Sequence, residues 1–101
     1  MFFKKVSSIS TKDLEKNLVE KAQIIDVRET HEFQGSHIPG AKNIPLGKIA
    51  NFSPKGKTYV ICQSAIRSKK ASKLLTKKGY DVVNVRGGMM SWGGAKKGGK
   101  L

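Results

Sequence analysis

The sequence predicts an α/β domain, and three observations predict it. Short β-branched runs alternate with amphipathic segments along the chain, the pattern of strands packed beneath helices. The 101 residues, 38% hydrophobic and 27% charged, suffice for one small domain with a modest core, read as residues 1–101, and leave no room for a second. The clearest strand, Thr58-Tyr59-Val60-Ile61, runs straight into a cysteine and then into a helical pattern, the strand, loop, helix order of an open sheet.

In chain order, Val6 to Ile9 form a short first strand. Ser10-Thr11-Lys12-Asp13 has the capping-box form, a hydroxyl followed three residues later by an acid, and opens a helix over Leu14 and Leu18. Ile24-Ile25-Asp26-Val27 reads as a buried strand. Residues 28–42 contain Gly35, Pro39 and Gly40 and read as a loop, and loops this long are usually functional. A brief apolar stretch follows at Asn43 to Pro45, and then comes the strand at Thr58 to Ile61. Arg67 to Lys78 is an amphipathic helix: Ala71, Leu74 and Leu75 stand against Lys69, Lys70, Lys73, Lys77 and Lys78, and Gly79 stops it. Val82 to Val85 is the last strand, and Gly87-Gly88 breaks the chain before a turn or short helix at Met89 to Trp92. Residues 93–101, mostly glycine and lysine, are expected to be a flexible tail.

Twenty Lys and Arg against seven Asp and Glu give a formal net charge of +13. The excess is uneven: residues 1–54 carry eight basic and six acidic side chains, residues 55–101 twelve basic and one acidic, Asp81. Such a chain attracts nucleic acid, anionic surfaces and small anions. Aromatic residues are only 7% and form no stacking pattern, which speaks against a dedicated nucleic-acid reader, although RNA contact through the basic C-terminal half stays open. No apolar run approaches the about 18 residues of a spanning helix, and Phe2-Phe3 precede Lys4-Lys5, the reverse of a signal peptide. A cytoplasmic protein without a membrane partner is expected. The single cysteine excludes an internal disulfide and any zinc site built on cysteine pairs, and His31 and His37, six apart, make a poor metal site. No metal and no cofactor are expected.

Cys62 follows a strand and precedes the helix beginning at Arg67. In open parallel sheets ligands bind beyond the carboxyl ends of strands, and the amides at a helix start favour negative charge there by at most ~2 kcal/mol. Gln63, Ser64, Ala65, Ile66 and Arg67 would therefore wrap their amides around the sulfur, making it a nucleophile and an anion site. The alternative is that Cys62 is a small buried hydrophobe. Asp26 and Arg28, one residue apart at a strand end, read as a hydrogen-bonded tie between loops. Met89, Met90 and Trp92 read as closing the core.

Four segments in order resemble a rhodanese-like sulfurtransferase domain. They are Ile24-Ile25-Asp26-Val27-Arg28; Glu32-Phe33 with His37-Ile38-Pro39-Gly40-Ala41 and Asn43-Ile44-Pro45; the C-x-x-x-x-R loop from Cys62 to Arg67, followed by Ser68; and Gly87-Gly88 with Trp92. The resemblance implies a five-stranded parallel sheet flanked by helices on both faces, with the cysteine loop at its carboxyl edge. It also implies an activity: Cys62 takes sulfane sulfur from thiosulfate or another small anionic donor as a covalent persulfide and passes it to cyanide, a thiol or an acceptor protein. In that mechanism the amides of Gln63 to Arg67 cradle the persulfide, Arg67 holds the loop or a donor sulfonate, and Glu32 is structural. The related phosphatases of this fold carry one more residue between cysteine and arginine, so the loop length favours sulfur chemistry. Ala65 stands where the family commonly has glycine, and Ile66 where polar residues are common; with the cationic C-terminal half they motivate the alternative reading, a non-catalytic binding or regulatory module docking a protein or RNA.

Overall fold

A computed structural model of the chain describes residues 5–18 and 22–98. Five strands, β1 (Ser7–Ser10), β2 (Gln23–Asp26), β3 (Lys42–Asn43), β4 (Thr58–Ile61) and β5 (Val82–Arg86), form one parallel sheet in the order β1-β5-β4-β2-β3. Three α-helices, α1 (Thr11–Asn17), α2 (Thr30–Gly35) and α3 (Ile66–Lys77), and two 3-10 turns, Leu46–Asn51 and Met89–Ser91, complete the domain. All strand pairs are parallel, so every carboxyl end, including that of β4 before Cys62, lies at one edge.

Alternation along the strands divides the core in two. Ile25, Val60 and Val82 face α3 through Ala71 and Leu75, with Ile49 of the first 3-10 turn closing that layer. Ile24, Ile61 and Val85 face the other way, onto Leu14 of α1, Ile38, Met89 and Trp92. Helices thus cover both faces, and a side chain such as the fully buried Leu75 contributes about 1.5–3 kcal/mol by leaving water.

The Ser10 hydroxyl caps α1 by accepting the Asp13 amide at 3.0 Å, as the capping-box pattern predicts. The helix ends at Asn17, one residue short of the expected Leu18, which is the extended C-cap and is exposed, while only Thr11 and Leu14 of α1 are buried. Residues 28–42, expected to be loop, contain α2. That helix has no buried residue and therefore no apolar stripe to read; it is closed by Glu32, whose carboxylate accepts the Glu29 amide at 2.9 Å. The 3-10 turn Leu46–Asn51 was equally invisible to periodicity.

From the stretch expected to be a flexible tail, Lys97 exchanges two backbone hydrogen bonds of 2.8 Å with His37, and the Trp92 indole donates to the Ala95 carbonyl at 2.9 Å. Residues 99–101 of that stretch lie outside the described residues. Among the described residues no helix is long and apolar enough to cross a membrane.

Candidate active site

Cys62 leaves the end of β4 and turns immediately, so its side chain sits at the sheet's carboxyl edge beneath the start of α3. Its Sγ accepts the Ala65 amide at 3.0 Å and the Ser68 amide at 3.2 Å. These are two of the N–H groups that the helix start leaves without an intrahelical partner, and they place positive ends of dipoles on the sulfur. The Ser68 hydroxyl lies 3.4 Å from Sγ and donates to the Ala65 carbonyl at 3.2 Å, which joins sulfur, loop and helix in one network. Cys62 is 1% exposed, so the loop and the start of α3 cover it almost completely.

The turn that bends the loop back on Cys62 is made by Ala65, with φ 89° and ψ −9°, the one non-glycine residue with positive φ among those described. An L-residue there costs about 1–2 kcal/mol. Ala65→Gly removes the strain but adds freedom to the unfolded chain, and the balance should be a gain of about 0.5–1 kcal/mol. Urea unfolding of the two proteins checks this; a loss of stability would show that the Ala65 methyl group gains more from its contacts than its backbone loses.

Arg67, Ile66 and Ser64 differ in their use. Both terminal nitrogens of Arg67 go to Glu32, Nη1 to Oε1 at 2.6 Å and Nη2 to Oε2 at 2.9 Å, a bidentate pair that ties α3 to α2. Arg67 therefore ties α3, the helix that presents the loop, to α2, with both terminal nitrogens bonded to Glu32. Ser64 and Gln63 are exposed at the loop tip, and Ile66 is 78% exposed. The resemblance assigns the cradle to five amides; on Sγ itself the geometry puts Ala65, which is among them, and Ser68, which is not.

The Arg67 guanidinium, together with the Glu29 amide, holds the Glu32 carboxyl down to about 2 from the ordinary 4.5, although burial pushes the other way. Depression of a carboxylate means stability that is complete above the unfolded value of 4.5 and is lost as pH falls through about 2. Glu32→Gln should accordingly melt at a lower temperature than the parent at pH 6, and the difference should close between pH 4.5 and 2. Melting curves across that range check it, and a gap that persists at the acid end would place the effect elsewhere.

Asp26 and Arg28 lie directly beside the loop. Arg28 grips the fully buried Asp26 carboxylate through Nε at 3.0 and 3.1 Å and Nη2 at 2.8 Å, gives Nη2 to the Ser36 carbonyl at 2.6 Å, and reaches the Gln63 side chain through Nη1 at 3.4 Å. One side chain thus links β2, the end of α2 and the cysteine loop. The imidazole of His37 stacks on Phe33 at 3.8 Å and bonds its carbonyl at 2.7 Å, a packing role at the end of α2.

Sequence reasoning passed over what holds the loop from outside. The Met89 amide donates to the Cys62 carbonyl at 2.7 Å and the Met90 amide to the Gln63 carbonyl at 3.0 Å. Gly88 makes this approach: its φ is 63°, and a Cβ there would stand 2.4 Å from the Gln63 carbonyl oxygen and 2.6 Å from that of Cys62. The Gly87-Gly88 pair was visible as a break in the chain, and its contact with the cysteine loop was not. Met89 and Trp92 close the core as expected, whereas Met90 is 68% exposed beside the loop.

The chain is similar to known proteins in sequence and in fold. The chain is 44% identical over 82 residues to the uncharacterized protein YqhL of Bacillus subtilis, covering 76% of this chain and 65% of that protein, so it spans slightly less than two thirds of that relative. It is 40% identical over 98 residues to the putative sulfurtransferase YtwF of the same organism, covering 91% of this chain and 95% of the other. The crystal structure of a rhodanese-like domain protein from Staphylococcus aureus superposes with a TM-score of 0.84 at 34% identity, over 94% of this chain and all of that one. Residues 10–95 match the sequence profile described as Rhodanese-like domain, and with the sheet order and the cysteine loop on the same span, the chain belongs to the rhodanese-like domain family.

Proposed function

We propose that this protein is a sulfurtransferase that carries sulfane sulfur on Cys62. The observation that carries the reading is the sulfur itself: a single cysteine at the carboxyl end of the central strand, with two backbone N–H groups within 3.2 Å of Sγ at the start of a helix. The relative named as a putative sulfurtransferase, nearly coextensive with this chain, supports it.

In the first step the Cys62 thiolate attacks the outer sulfur of thiosulfate. The sulfur–sulfur bond of the donor breaks, sulfite leaves with the electron pair, and Cys62 holds a persulfide. In the second step cyanide or a thiolate attacks the outer persulfide sulfur, and the Cys62 thiolate leaves with the electron pair of the broken bond. Charge on the sulfur chain falls among the loop amides in both steps, so the same donors serve formation and discharge. The chain has no second cysteine to resolve the persulfide, so the acceptor comes from outside.

A shared covalent intermediate dictates a ping-pong rate law. Initial rates of thiocyanate formation, with thiosulfate and cyanide varied together, should give parallel double-reciprocal lines. Intersecting lines would mean direct transfer in a ternary complex.

A further inference from the structure

The outer face of α3 gathers exposed side chains of like charge. Ile66, Lys69, Lys70, Lys73, Leu74 and Lys77 are all exposed and fall on one side of the helix, while Ser68, Ala71, Ser72, Leu75 and Thr76 fill the other. Lys73 stands one turn from Lys69, Lys70 and Lys77, pairs of like charge that repel. Lys69 also closes the first turn, where the helix dipole disfavours cations and no acid stands, and of the stripe only Lys77, in the last turn, is placed where the dipole favours it. Helix α1 shows the favourable arrangement, Asp13 in its first turn and Lys16 in its last. Among the described residues none of these α3 lysines pairs with a carboxylate. The stripe is continuous with the site: it begins at Ile66 in the cysteine loop and runs about 16 Å down the helix. At its upper end stand two exposed apolar side chains, Ile66 and Met90, whose own backbone belongs to the loop or bonds to it.

We infer that the α3 lysine stripe, with Ile66 and Met90 at its head, is the docking surface for an acidic protein that brings its thiol to Cys62. This rests on the reading of Cys62 as a sulfur carrier and names the chemistry of its acceptor. Charge complementarity selects the partner and speeds its arrival, and the apolar pair gives a contact beside the sulfur where water is excluded. The exposed large hydrophobics of the described residues are Leu18, Ile66, Leu74 and Met90; none is aromatic, so the stripe offers bases nothing to stack on and fits a protein better than a nucleic acid.

The test uses protein loaded with sulfur from thiosulfate and two short synthetic peptides, each with one cysteine beside an aliphatic residue, one flanked by glutamates and the other by lysines. At low salt the glutamate peptide should discharge the persulfide at least about tenfold faster than the lysine peptide, an advantage that salt erases. Lys69→Glu with Lys73→Glu should slow discharge by the glutamate peptide about tenfold, while Lys12→Glu with Lys16→Glu on α1, the same change in net charge on the opposite face, should alter it less than about twofold. Discharge by dithiothreitol should be equal in all three proteins. Equal losses in the α3 and α1 variants would reduce the effect to net charge and overturn the proposal. So would an RNA oligonucleotide of equal charge that binds through α3 more tightly than the glutamate peptide. A protein that never loads sulfur contradicts the reading of Cys62 instead, and affinity for the glutamate peptide with serine in place of its cysteine then decides the surface by the same α3 and α1 contrast.

Discussion

Gly88→Ala should destabilise the protein by about 3–5 kcal/mol and remove sulfur transfer with it. Two costs add. Gly88 has φ 63° and ψ −166°, a region essentially confined to glycine, where another residue costs about 1–3 kcal/mol. The new Cβ would also lie 2.4 to 2.6 Å from the Gln63 carbonyl group and the Cys62 carbonyl oxygen, backbone atoms that cannot rotate aside. Relief comes only by pushing β5's exit away from the cysteine loop, which breaks the Met89 and Met90 hydrogen bonds to Cys62 and Gln63. Against a total stability of about 5–15 kcal/mol this is a large loss. Gly87→Ala is the control. Its φ is also positive, at 87°, but its Cβ would meet only Ser91 Cβ and Oγ, at 3.1 Å, a contact relieved by a shift of a few tenths of an ångström and not a clash with the loop backbone, so it should cost about 1–2 kcal/mol and leave the loop in place. Urea unfolding and thiocyanate formation on both variants separate these outcomes, and equal effects would show that the close approach of Gly88 carries nothing special.

Arg28→Met should cost about 3–5 kcal/mol, because it strands the Asp26 carboxylate, which is fully buried, without its counterion. The Asp26 carboxylate keeps only the Arg28 backbone amide, at 3.0 Å, and the Ser36 carbonyl loses its guanidinium donor. Removing both charges is predicted to be milder than removing one: Asp26→Asn with Arg28→Met should recover about 1–2 kcal/mol of the loss, since desolvating an ion pair offsets much of its attraction. Denaturant midpoints of the two variants check the order. A double variant no more stable than Arg28→Met would mean that the guanidinium acts through Ser36 and Gln63 rather than through Asp26.

The α/β order was legible because the strands at Ile24, Thr58 and Val82 are short runs of β-branched residues between helices with a clear apolar stripe or cap. The cysteine loop was legible for the same reason, since a strand that ends in cysteine and continues as a helix leaves the sulfur one place to go. What escaped was long-range or unpatterned. Helix α2 has no buried face, so residues 28–42 looked like loop. The Arg67–Glu32 pair spans 35 positions, and neither residue announces the other. Ser68 is an ordinary helix residue until the fold puts its amide on Sγ, and Gly88 an ordinary turn until β5 ends beside β4. At Ala65 the sequence showed only an alanine where the family commonly has glycine, and the left-handed backbone there gives that substitution its physical cost.

Intact-protein mass spectrometry after brief exposure to thiosulfate addresses the sulfur-carrying role of Cys62 most directly. A gain of one sulfur atom, reversed by dithiothreitol, is expected in the parent protein and none in Cys62→Ser. No gain in the parent, with thiosulfate, cysteine persulfide or polysulfide as donor, would contradict that role.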